Sequence, residues 1–136
     1  MKKPIWVFFF LCFISFFLCS CAGKEAAVCP VVTQVDISCQ QEDVQIHRHY
    51  TNSEKMEYVL LYLRLLEPAG LPQIDPDSID AEEFVIQVQL LNGQTRYYRQ
   101  KAHRYFSIDG GPWQSIDPAQ AAGLYKLMQF VPSDTL

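Results

Sequence analysis

The sequence predicts an α+β fold: an antiparallel sheet of four or five strands with two helices packed on one face, in the order ββα-βββα. Three observations carry this. Residues 31–39, 44–50 and 84–91 alternate apolar and polar side chains, as half-buried strands do. Residues 53–67 and 117–131 place apolar side chains three and four apart, the helical period. Asn92-Gly93 follows the clearest alternating stretch and is a strong hairpin signal, because both residues tolerate positive φ. A hairpin then a helix occurs at the front, and a hairpin, a strand and a helix at the back, with Leu61-Tyr62 and Leu124-Tyr125 similarly placed in the two helices.

Ahead of these elements, Lys2 and Lys3 precede an apolar run from position 5 to 18 that is dominated by Phe, and Leu18-Cys19-Ser20-Cys21 closes it. A basic head, an apolar body of this length and a small-residue exit make an export signal. The run is short for a membrane span, which needs about 20 apolar residues. The exit resembles a bacterial lipobox: Leu18 is the aliphatic residue at −3, Ser20 the small one at −1, and Cys21 the cysteine. The resemblance implies removal of residues 1–20, a lipid on the Cys21 thiol, and anchorage to the outer face of a bacterial membrane in the cell envelope. Ordinary secretion with cleavage after Ala22 is the alternative; an uncleaved anchor is a third reading.

The chain has 136 residues, so loss of the first 20 leaves 116, enough for one core and one domain. It carries 11 basic and 15 acidic side chains; without Lys2 and Lys3 the balance is 9 to 15, a formal charge of −6. Nucleic-acid binding calls for the opposite sign. Of the five cysteines, Cys12 and Cys19 leave with the signal and Cys21 takes the lipid. Cys29 and Cys39 remain, either as a disulfide, which export permits, or as two independent thiols.

Residues 21–30 are the lipidated cysteine and a small, polar tether, and 31–136 form the single α+β domain. The strand at 31–39 turns at 40–43 into the strand at 44–50, whose alternation Arg48 interrupts. Thr51 and Glu54 are spaced as a capping box for the first helix, and Pro68 and Gly70 stop it. Two apolar stripes on that helix, one through Met56, Val59 and Leu63 and one through Tyr58, Leu61, Tyr62 and Leu65, imply cover on two sides or an exposed Tyr/Leu face for a partner. Residues 68–81 are a proline-rich acidic loop. Its Asp75, Asp77 and Asp80 lack the Gly and terminal Glu of a calcium loop. Strand 84–91, the turn at Asn92-Gly93 and strand 94–100 follow. A two-residue turn sets Val88 opposite Tyr97, Gln87 opposite Tyr98 and Gln89 opposite Arg96. After a short strand at 104–108 and a glycine loop, Asp117 and Pro118 open the last helix as N-cap and N1.

No phosphate loop or serine nucleophile elbow is present, so the sequence argues for no enzyme and no cofactor. With both helices on one face, the other face is open and carries His47, His49, Gln87, Gln89, Arg96 and Tyr98. Amides, aromatics and cations together suit a glycan, an extended peptide or an envelope protein, held by a monomeric, noncatalytic binding module. The alternative is metal binding or sensing: His47 and His49 share a face, with His103 or Asp36 as a third ligand. Finally, Arg96, Arg99, Lys101 and Arg104 cluster just after an acidic stretch through Glu67, Asp75, Asp77, Asp80, Glu82 and Glu83. Hairpin geometry folds one cluster onto the other. Either the two neutralise each other, or Arg96 and Arg104 stay free for an anionic surface.

Overall fold

A computed structural model describes residues 31–41 and 43–134. The expected signal at 1–20, the lipidated Cys21, the tether and Cys29 lie outside them. The architecture is α+β, with six strands among the described residues rather than four or five. They are β1 (Val32–Gln41), β2 (Val44–Tyr50), β3 (Glu83–Leu90), β4 (Thr95–Lys101), β5 (Tyr105–Ile108) and β6 (Gln114–Ser115). Helix α1 (Ser53–Leu65) follows β2, and α2 (Pro118–Phe130) follows β6. The sheet runs β2-β1-β3-β4-β5-β6, antiparallel throughout. The extra strand is only two residues long. Residues 69 and 70 cover its outer edge through Ala69 N–H to Ser115 O (2.7 Å) and Ser115 N–H to Gly70 O (2.8 Å).

Both helices pack on one face. Val35, Ile37 and Cys39 of β1 stand beside Val88, Ile86 and Phe84 of β3, and Met56, Val59, Leu124 and Met128 close over them. None of these is more than 7% exposed. Phe106, Ile116 and Ala121 form a second cluster beneath the start of α2. Among the described residues, buried side-chain polar atoms all find partners. Tyr62 donates to Gln100 Oε1, and Gln100 Nε2 donates to the Ala121 carbonyl (3.0 Å), tying α1 and α2 to β4. Burial pushes the Tyr62 hydroxyl pKa upward. Arg48, the break in the β2 alternation, reaches the Met128 carbonyl near the end of α2 (3.4 Å), where a cation suits the helix dipole.

The caps differ in one place from the expected ones. Asp117 caps α2 as expected, accepting from Ala119 N–H (2.9 Å). The α1 cap is Asn52 instead of Thr51, accepting from Glu54 and Lys55 N–H. Thr51 is occupied elsewhere, because the tail after α2 folds back on this corner. Asp134 accepts from the N–H of Thr51 (2.6 Å) and Asn52 (2.8 Å) and pairs with Lys55 Nζ (2.7 Å). These donors hold its carboxyl well below the usual carboxylate range. A depressed pKa contributes stability at neutral pH that is lost as pH falls below about 4.

The β3–β4 hairpin overturns an expected register. Its loop has three residues, Leu91, Asn92 and Gly93: Gly93 N–H bonds Leu90 O (3.0 Å), and Leu90 N–H bonds Gln94 O (2.8 Å). Gly93 takes φ +88°, a left-handed bulge after a tight turn. Gln87 therefore faces Tyr97, Val88 faces Arg96, and Ile86 faces Tyr98. One residue of slip moves every β4 side chain to the other face.

Candidate functional site: the open sheet face

Strand pairing sorts the expected surface residues. His49, Asp36, Gln87 and Tyr97 form one row across β2, β1, β3 and β4. His47, Ser38, Val85, Arg99 and Ser107 form the next. Gln89 lies on the same face, opposite Thr95. Four of the six expected residues, His47, His49, Gln87 and Gln89, are thus on the open face. Arg96 and Tyr98 are not. Tyr98 packs half-buried against the core under the helices, and Arg96 reaches from that side to Asp109 (3.8 Å). Tyr97 and Arg99 take their places.

At the β1–β2 end, Asp36 is the centre. His49 Nδ1 lies 2.7 Å and His47 Nε2 3.6 Å from its Oδ1, while Gln34 Nε2 donates to its Oδ2. Asp36 and His49 are strand partners, so the hairpin register alone builds the pair. His49 is 16% exposed in its side chain and His47 57%. The two histidines of the metal alternative thus meet at Asp36, its candidate third ligand. Among the described residues no group of three or more His, Cys, Asp or Glu side chains is spaced to hold a metal ion.

At the β4–β6 end, Arg99 is the centre. Its guanidinium lies over the Trp113 ring, 4.8 Å from the centroid, and pairs with Glu83 (2.5 Å) and Asp77 (3.5 Å). The Glu83 hydrogen bond raises its pKa further. This meets the expected folding of the basic cluster onto the acidic loop. His103 also finds Glu82 (3.2 Å). Arg104 has no carboxylate partner among the described residues.

Cys39 is buried on the covered face, 1% exposed, with Sγ 3.5 Å from Glu82 Oε1, while Cys29, its candidate disulfide partner, lies outside the described residues. Burial and then the Glu82 charge push the Cys39 thiol up to about 12.

Sequence reasoning missed Tyr97, Arg99 and Trp113. The signal for the first two was the alternative three-residue loop at Asn92-Gly93; for Trp113, which folds back from a glycine loop, there was none. No helix among the described residues is long and apolar enough to cross a membrane. Comparison with protein families, with curated proteins and with solved structures finds no match to this chain.

Proposed function

We propose that this chain is a lipid-anchored protein of the bacterial cell envelope, held by Cys21, whose open sheet face binds a glycan without catalysing a reaction. The export signal and the lipobox resemblance support the anchor. The observation that carries the ligand is the uncovered row through Gln87 and Tyr97, flanked by Arg99 on Trp113. Aromatic rings offer apolar faces to the C–H side of a sugar ring. Gln87, Asp36 and Arg99 supply donors and acceptors for hydroxyl groups. An extended peptide uses the same groups less fully, because the face presents side chains and not main-chain donors and acceptors.

Nitrogen-15 NMR of the protein titrated with a chitooligosaccharide, and separately with an unstructured peptide, tests this. The expected result is shifts at Gln87, Tyr97, Arg99 and the Trp113 indole with the sugar and none along α1. Tyr97→Ala weakens binding about tenfold, the loss of about 1.4 kcal/mol from one aromatic contact. No shift on this face at millimolar sugar removes the reading; shifts with the peptide alone replace the ligand class.

A further inference from the structure

The chain enters the described domain at Val31, and the backbone shows what lies beside that point. The Val31 carbonyl accepts from Leu91 N–H (2.8 Å), so the first residue of the domain is bonded to the tip of the β3–β4 hairpin. Both side chains are large, apolar and outward: Val31 is 59% exposed and Leu91 71%. The rest of the tip, Asn92, Gly93 and Gln94, carries no charge. Arg96 and Asp109, the charges that follow along the strands, pair with each other. The opposite end of the same strands is charged, with Asp43 in the β1–β2 turn, Glu82 and Glu83 at the start of β3, and Lys101, His103 and Arg104 where β4 turns into β5. The hairpin tip is therefore fit to touch hydrocarbon, and the opposite end of its strands is not.

We infer that this hairpin tip, headed by Leu91, rests in the surface of the lipid bilayer to which the chain is anchored. The inference rests on the anchor part of the proposed function and adds how the domain is oriented. Nine residues, 22–30, separate Cys21 from Val31, a reach of at most roughly 30 Å when fully extended. A lipid on Cys21 thus keeps the tip close to the bilayer at all times. Contact with lipid then needs little affinity of its own, because the anchor has made the encounter intramolecular. Two adjoining apolar side chains at a tip suffice for that, and would be too few for a soluble domain to bind membranes alone. With the tip down, the strands stand across the bilayer surface, and the open face looks sideways along the membrane at ligands within reach of the tether.

The test uses the full lipidated chain in phosphatidylcholine–phosphatidylethanolamine nanodiscs containing doxyl-labelled lipid, read by leucine and valine methyl NMR. The expected result is that the Leu91 methyl signals lose the most intensity, Val31 next, and Leu61 and Leu65 on the exposed face of α1 little. If the chain is disc-bound but Leu91 is broadened no more than Leu65, the orientation is wrong and the anchor stands. If α1 is broadened most, the helix face is the lipid contact and the inference is overturned. If the protein carries no lipid mass on Cys21 and leaves the discs, the anchor reading falls and this inference with it.

Discussion

The two faces of the sheet are made by the same strands, one position apart. In β1 and β3, Val35, Ile37, Cys39, Phe84, Ile86 and Val88 under the helices are at most 3% exposed, while their neighbours Asp36, Ser38, Val85 and Gln87 stand half-buried on the other side. Polar groups occur on both faces but under different obligations. Beneath the helices, Gln100, Tyr62 and Arg48 are tied to named acceptors, since an unpaired polar group there lacks water. On the open face, Gln87 and Tyr97 keep side-chain hydrogen-bonding capacity for solvent or a ligand. The same residue types are structural on one side and available on the other.

Substitutions can break this contrast or refine it. The largest effect is expected at Ile37, fully buried at the centre of β1: Ile37→Ala should lower unfolding free energy by about 2–5 kcal/mol in urea titration. Its open-face counterpart, Gln87→Ala, should change stability by less than about 0.5 kcal/mol while weakening the sugar. A comparable loss at both would mean that the open face is covered in solution. Tyr62→Phe should come next, at about 1–3 kcal/mol, because it leaves Gln100 Oε1 without its donor under the helices. Gly93→Ala should follow at about 1–2 kcal/mol from the left-handed backbone alone, since an added Cβ meets nothing within 4 Å. Thermal melts check it, and no loss would mean the loop relaxes to another turn. Smallest is Glu57→Ala, removing an exposed ion pair with Arg64 in which both side chains are 62% exposed; about 0–0.5 kcal/mol is expected by double-mutant cycle.

Periodicity made most of the fold legible. The β2 and β3 alternation and the Met56, Val59, Leu124 and Met128 spacing are burial patterns written directly into residue order. The Asp117-Pro118 start was readable because capping chemistry is local. The Asn52 cap was not, because what displaces Thr51 from that role is Asp134, more than eighty positions away. Strand β6 was missed because two residues show no period. The site was half legible. His47, His49 and Gln87 followed from alternation within single strands. Tyr97 and Arg99 depended on whether the hairpin loop holds two residues or three, and Asn-Gly serves both. A local ambiguity of one residue thus became a global error of face for all of β4.

The tail contact at Asp134 also bears on the order in which the molecule can be completed. A chain made from its N-terminus delivers β1, β2 and α1 long before the residue that closes the corner between the last two. Until it arrives, the N–H groups of Thr51 and Asn52 and the Lys55 ammonium have only water. A chain cut short after α2 has all six strands and both helices of the described residues, yet lacks the Asp134 carboxylate that joins the segment after α2 to the first hairpin. Such a product is expected to leave that corner fraying and open to proteases, so that synthesis through Asp134 is itself a condition of persistence.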